Sequence, residues 1–306
     1  MAEITAALVK DLREKTGVGM MDCKAALAAT NGNTEEAIDW LRAKGLAKAA
    51  KKSSRIAAEG LVGVCVKGTT GALVEVNSET DFVARNEKFQ TMVAEISKLA
   101  INANGSSEAL KTMHFPGSAH AVAEYVAEMV ATIGENMTVR RTAALSVSEG
   151  SIGSYVHNQI APGMGKIGVI VAIEGNGKKE DLAEFGRLLS MHIVATNPVS
   201  LTLEAVPADV LAREKAVLEE KNAGKPANVM EKIVASGLKT YAKEFCLLDQ
   251  AYVHDGSKTV TQALAEVASK AGGTAKITGF VRMQLGEGIE KQEDDFAAEV
   301  AKMSRQ

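Results

Sequence analysis

The chain has 306 residues, of which 46% are hydrophobic and 24% charged, and its formal net charge is −3 at pH 7. This length is enough for two or three domains, and the composition is ordinary for a globular protein. The slightly acidic balance argues against a nucleic-acid binder, which would present a strongly basic face, so we expect no direct contact with nucleic acid.

The cysteines and the N-terminus bear on the compartment. Cys23, Cys65 and Cys246 lie far apart and form no C-x-x-C pair, which favours reduced thiols over a disulfide framework. Residues 1–13 lack the charged and apolar regions of a signal peptide, and no apolar run approaches the roughly 20 residues that span a bilayer. We therefore expect a cytoplasmic protein that does not enter a membrane.

Residues 1–55 predict a small helical domain. Apolar residues at helical spacing mark one helix around Leu12, and a second helix is expected over 20–29. Asn33 followed by Glu36 is a capping-box pattern for a third helix. Three short helices bury only a small core, which favours a docking domain over a catalytic one.

A basic run, KAAKKSSR over 48–55, closes this domain. It contains no aromatic residue on which a base could stack, so we interpret it as a solvated tether rather than an RNA contact.

Two α+β units of the same element order are expected next, over 56–148 and 149–286, which indicates an internal duplication. The first unit has predicted strands 61–66, 72–76 and 137–147 and predicted helices 86–103 and 119–134. The second carries an insertion, 209–245, that predicts two antiparallel helices joined by a Gly/Pro turn. Residues 287–306 predict a terminal amphipathic helix that includes Phe296.

The connection Thr80-Asp81-Phe82-Val83 follows a strand in which polar and apolar residues alternate, a pattern that predicts one buried face. Short connections of this kind are normally polar and run over the surface, so the aromatic Phe82 requires an explanation. One interpretation is a hydrophobic staple, with Asp81 or Thr80 capping the following helix. The other is a projecting probe that enters a partner's pocket beside a carboxylate.

Catalytic signatures are missing from the sequence. No G-x-x-x-x-G-K-[ST] run is present, and the G-x-G-x-x-G match at 163–168 precedes a strand, so we interpret it as a hairpin loop. His192 lies on the apolar face of a predicted helix and is expected to be a half-buried core histidine. No metal-site spacing and no nucleophile–base pair can be argued. We expect no enzyme, no cofactor and no bound metal.

The wording of three segments resembles one family. T-D-F-V-A-R-N over 80–86, T-G-V-G-M-M-D-C-K-A-A-L over 16–27 and E-K-x-x-x-D-F-A-A-E-V-A over 290–301 are similar to bacterial elongation factor Ts. The resemblance spans nearly the whole chain. It implies an α+β multidomain fold with a ubiquitin-associated-like N-terminal domain, a duplicated core with antiparallel sheets, an inserted coiled-coil arm and a C-terminal helical module.

The resemblance also implies a function, which is guanine-nucleotide exchange on the GTPase elongation factor Tu. In this interpretation Thr80, Asp81, Phe82 and Val83 disturb the Mg²⁺ and phosphate site of Tu. The further partner contacts that it implies are Asn86, Tyr155, His157 and Phe296. The loop after His157 is longer than the family pattern leads us to expect. Dimerisation through the arm stays open, and the competing interpretation is a non-catalytic scaffold or chaperone that binds through the head and the arm.

Overall fold

The computed structural model describes residues 4–16 and 18–290. Over these ranges the fold is mixed α+β. Its helices are α1 (Ala6–Thr16), α2 (Met20–Ala29), α3 (Thr34–Lys52), α4 (Glu87–Ala100), α5 (Ser107–Thr112), α6 (Val122–Ile133), α7 (Lys179–Thr196), α8 (Ala208–Lys221), α9 (Ala227–Phe245) and α10 (Val260–Ala271). Its strands are β1 (Glu59–Lys67), β2 (Thr70–Ser78), β3 (Met137–Ser146), β4 (Gly150–Ala161), β5 (Met164–Glu174), β6 (Ala251–Tyr252), β7 (Asp255–Thr259) and β8 (Lys276–Gln284).

The three N-terminal helices pack around their own small core, which includes the fully buried Leu12 and Leu27. Helix α3 begins where the sequence predicts it. The Asn33 side chain accepts hydrogen bonds from the backbone N–H groups of Glu35 and Glu36, at 3.1 and 3.3 Å. These contacts satisfy N–H groups that have no partner within the helix.

The basic run 48–55 is not the tether that we predicted, because α3 continues through its first five residues. Alanine and lysine favour helix, and the packing of α3 on α6 extends it further. Gly45 permits this approach, since a Cβ there would lie 2.9 Å from the Cβ of Ala131. Arg42 lies 4.0 Å from Glu124 and 3.9 Å from Glu128 across the same contact.

One antiparallel sheet contains the long strands of both predicted units, in the order β3-β2-β1-β5-β4 with β8 also paired to β5. Strand β1 pairs with the first two residues of β5, and β8 pairs with β5 from Ile167 to Glu174. The strands β1–β3 and the strands β4, β5 and β8 correspond to the two predicted halves, and a shared sheet joins them.

Strand β2 is buried on both faces, which corrects the prediction of one buried face. Val74 and Val76 belong to the core beneath α4, whereas Leu73 belongs to a second core against β4, β5 and β8. Glu75 and Asn77, which alternation placed on the solvent side, are fully buried. Their polarity reflects internal hydrogen bonds rather than exposure to water.

The second half differs little from the prediction. Helices α8 and α9 form the expected antiparallel arm, and its turn contains Gly224 at φ +86°. The β4–β5 hairpin turns at Pro162 and Gly163, so the interpretation of the glycine-rich run as a hairpin is confirmed. The short helix α5 and the β6–β7 hairpin were not predicted. The predicted terminal helix and Phe296 lie outside the described residues.

Candidate functional site

A corner between β2 and α4 carries the predicted site residues. Strand β2 ends at Ser78, a single 3₁₀ turn spans Val83–Arg85, and α4 begins at Glu87. Phe82 is 78% exposed, whereas the adjacent Val83 is buried, with only 4% of its surface exposed. Phe82 O accepts a hydrogen bond from Arg85 N at 3.1 Å. The backbone is therefore turned sharply, and the aromatic side chain stands outside it.

The staple interpretation of Phe82 is wrong, because a ring that is 78% exposed does not pack on its own helix. The helix cap is Asn86, whose Oδ1 accepts from Lys88 N at 2.9 Å and from Phe89 N at 3.4 Å. Neither Thr80 nor Asp81 caps α4. The ring that does pack under this helix is Phe89, which is fully buried.

Thr80 is held by three of its polar groups. Its N–H donates to Glu135 Oε2 at 2.9 Å, and its hydroxyl donates to Glu135 Oε1 at 2.6 Å. Its carbonyl accepts from Ser78 Oγ at 2.9 Å. A charged acceptor makes the stronger class of hydrogen bond, so the start of the corner is well fixed.

The corner also holds the loop that follows α6. Asn136 N donates to Glu79 Oε1 at 2.5 Å, and Asn136 Nδ2 donates to Arg55 O at 2.7 Å. Arg55 Nη1 lies 3.4 Å from Glu79 Oε2. Each segment thus supplies a carboxylate to a backbone N–H of the other. Sequence reasoning missed Glu79 and Glu135, since no local pattern signals a partner more than 50 residues away.

Asp81 is exposed beside Phe82, and across the described ranges its carboxylate makes no hydrogen bond or ion pair. The tip of the corner therefore offers one apolar ring and one unneutralised negative charge. No group of three or more His, Cys, Asp or Glu residues in the described part of the chain could hold a metal ion.

Tyr155 and His157 lie on one face of β4, two residues apart, and both are partly buried. The Tyr155 hydroxyl lies 3.4 Å from His157 Nδ1, and the ring centroids are 6.1 Å apart. In the part of the chain that the structure describes, no hydrogen bond joins this pair to the corner. The long loop expected after His157 is absent, because its residues extend the hairpin strands as far as Ala161.

A buried carboxylate, that of Glu75, lies on β2 three residues before the strand ends at the corner. Glu75 accepts hydrogen bonds from Arg140 at 3.0 Å, from Arg141 at 2.5 Å and from Gly286 N at 2.8 Å. Burial opposes ionisation, but the hydrogen bonds from Gly286, Arg141 and Asn77 outweigh it, so the pKa of Glu75 lies below its ordinary value. This network fixes the point from which the C-terminal segment departs.

His192 is a core histidine as predicted, although it is fully rather than half buried. Its Nδ1 accepts from Val253 N at 3.2 Å, so the proton lies on Nε2, which is 2.9 Å from Gln250 Oε1. Burial lowers the pKa of His192 below its ordinary value of 6.5. Both ring nitrogens are used inside the fold, which leaves the residue a structural role.

Comparison with known proteins adds an independent observation. A family model described as Elongation factor TS matches residues 79–287, which is more than half of the chain. Elongation factor Ts of Methylorubrum extorquens is 62% identical over 306 residues, with all of both chains covered. The chain belongs to the elongation factor Ts family.

Other members of the elongation factor Ts family align over nearly the same length. The proteins of Methylorubrum populi and Xanthobacter autotrophicus are 61% and 58% identical, over 306 and 301 residues. The family match begins at Glu79, the first residue of the corner, and ends at Glu287, beside the buried Glu75 network. The helical head lies before the match and is covered by the full-length relatives.

The described helices include none that is both long enough and apolar enough to cross a membrane.

Proposed function

We propose that the protein is a guanine-nucleotide exchange factor for elongation factor Tu, acts in the cytoplasm and is not itself an enzyme. Membership of the elongation factor Ts family supports the activity. The observation that carries the assignment to a site is the exposed Phe82, 78% accessible at the tip of an anchored corner. A single exposed apolar side chain is ordinary on a protein surface, so Phe82 gains its weight from its position on the anchored corner within the T-D-F-V segment that resembles the family.

The corner can act on Tu through two side chains. Phe82 enters an apolar gap in the GTPase domain, and Asp81 brings a negative charge to the region of the Mg²⁺ site. Mg²⁺ requires near-ideal octahedral geometry, so a small displacement of its ligands weakens its binding. Loss of the ion removes the main charge that neutralises the diphosphate, and GDP is released. Thr80 and Val83 hold the corner, the one by hydrogen bonds and the other by burial.

A comparison of the energy of burying Phe82 with the cost of association indicates that the corner does not act alone. Burying a Phe side chain contributes about 1.5–3 kcal/mol, whereas association costs an estimated ~4–15 kcal/mol. Further contacts must supply the difference. We propose that they come from Asn86, from Tyr155 and His157 on β4, and from the C-terminal module with Phe296. Within residues 4–16 and 18–290 the amide Nδ2 of Asn86 makes no hydrogen bond, whereas its Oδ1 caps the helix.

We also propose four domains, 1–55, 56–148, 149–286 with the arm at 209–245, and 287–306. Separate clusters of buried apolar residues in the head and in each half of the core support the first three. Dimerisation through the arm stays a prediction, and the partly exposed Val217 and Val229 on α8 and α9 are the residues to test.

Release of a fluorescent GDP from Tu, followed after addition of the protein and excess unlabelled GDP, tests the activity. We expect substoichiometric protein to accelerate release many-fold. A scaffold or chaperone would bind Tu and leave the release rate unchanged, and that result would reject the proposed activity.

A further inference from the structure

We propose that Glu135 is a positioning residue for nucleotide exchange, because its carboxylate sets the direction in which the corner presents Phe82. The inference rests on the proposed function of the corner. It assigns a role in exchange to a residue that lies 55 positions away in sequence from the one it binds. Glu135 itself is partly buried and acts through Thr80.

The geometry is that of a two-point clamp. One carboxylate oxygen of Glu135 accepts the Thr80 N–H at 2.9 Å, and the other accepts the Thr80 hydroxyl at 2.6 Å. Two bonds to one residue fix its orientation as well as its position, which one bond would not do. Thr80 is followed directly by Asp81 and Phe82, so an error in its orientation passes to both.

The clamp stands on a rigid base. Gly134 ends α6 at φ +94°, and its N–H donates to Val130 O at 2.9 Å. The Lys52 ammonium at the end of α3 contacts the Gly134 carbonyl, and Asn136 N is held by Glu79. The turn that carries Glu135 is thus tied to two helices and to the corner.

The corner depends on this clamp because its tip has no packing of its own. Phe82 is 78% exposed, and the neighbouring anchor on the far side is the buried Val83. Without Glu135, Thr80 keeps, among the described residues, only the bond that its carbonyl accepts from Ser78 Oγ, and the segment is otherwise anchored one residue earlier, where Glu79 accepts from Asn136 N. Binding would then have to order those residues, and each ordered residue lowers the effective strength of the contact.

A positioning role and a purely structural role predict different kinetics. A change that only weakened docking would raise the concentration of protein needed for half-maximal GDP release and leave the saturated rate unchanged. A misdirected ring acts less well on the nucleotide site even when every Tu molecule carries the protein, so GDP leaves the saturated complex more slowly. The saturated rate is therefore the measurement that decides between them.

The test compares Glu135→Ala and Glu135→Gln with Glu149→Ala and Glu149→Gln in the full chain. Glu149 is an exposed acid at the opposite end of β3, about 33 Å away along the ten-residue strand, so its variants match the change of charge. Thr80→Val, which removes only the hydroxyl donor, provides a second route should Glu135→Ala fold poorly. Release of fluorescent GDP from Tu is measured across protein concentration to saturation, with Phe82→Ala in parallel.

We expect Glu135→Ala to lower the saturated release rate about tenfold, because a misdirected Phe82 should lose no more than its complete removal in Phe82→Ala, which is about 7- to 50-fold. Glu135→Gln keeps one acceptor and should lose less, Thr80→Val should fall between these variants and the parent, and the Glu149 variants should match the parent. Hydrogen exchange of the peptide that contains Thr80 should accelerate in Glu135→Ala.

Two results would separate the inference from the proposed function. If Phe82→Ala is defective while Glu135→Ala and Thr80→Val keep the parent's saturated rate, the positioning role is wrong and the function of the corner stands. If Phe82→Ala also exchanges at the parent's rate, the corner is not the exchange element, and both assignments fall.

Discussion

Replacing Phe82 with alanine should separate exchange from stability. The ring is 78% exposed, so roughly a fifth of its surface is buried within the protein itself. Full burial of a Phe side chain is worth about 1.5–3 kcal/mol, so the free energy of unfolding should fall by only about 0.5 kcal/mol. The remaining four-fifths, about 1.2–2.3 kcal/mol, is what the complex with Tu loses, which corresponds to a loss of about 7- to 50-fold in the rate constant for exchange at low protein concentration.

The assay is release of fluorescent GDP from Tu at low protein concentration, together with thermal and urea unfolding of each variant. Phe89→Ala is the matched control, because the same truncation at a fully buried ring should cost about 3–5 kcal/mol of stability. Val253→Ala, at a side chain that is 52% exposed and distant in sequence, should change neither quantity. A Phe82→Ala protein that unfolds as readily as Phe89→Ala, or that exchanges GDP at the parent's rate, would refute the reasoning.

Three further predictions concern stability, each read from urea unfolding. Glu75→Gln removes the buried partner of two arginines that are 27% and 33% exposed, one of which also pairs with Glu287, and should cost about 1.5–3 kcal/mol; in the parent the contribution of Glu75 should disappear as pH falls through its lowered pKa, and an unchanged unfolding midpoint would contradict this. His192 has a lowered pKa in the folded state, so between that value and 6.5 the unfolded chain binds more protons and stability should rise with pH; this slope should be absent in His192→Gln. Gly153→Ala would drive a Cβ into the backbone of Gly186 and should cost about 1–3 kcal/mol or more, whereas Gly256→Ala, with open space around it, should be close to neutral.

Sequence periodicity predicted most long helices and the hairpins, because those signals are local. The cap of α3 could be read from Asn33 and Glu36, since all its atoms lie within four residues. The burial of Glu75 could not be read in this way. Its arginine partners are 65 and 66 positions away, so an internal acid has the same local pattern as a solvent-facing one.

The location of the candidate site could be predicted from the sequence, but the direction of the Phe82 side chain could not. The wording of Thr80–Val83 identified the corner, but whether Phe82 packed inward or projected depended on where the chain turned after Ser78. That turn is fixed by Glu135 and Glu79, whose contacts cross from one unit of secondary structure to another. The basic run was misjudged for a related reason, since the surface of α6 that supports the end of α3 is invisible in a local window.

The continuous helix α3 has a consequence for how a partner is engaged. Its 19 residues form a rod about 28 Å long that packs in the head core at one end and on α6 further along, before residues 53–58 lead into β1. A partner that contacts the head therefore meets the corner at a separation that the length of α3 sets. The second contact then forms at an effective concentration set by this rod rather than by the bulk solution, which lets two individually weak surfaces bind together with high avidity.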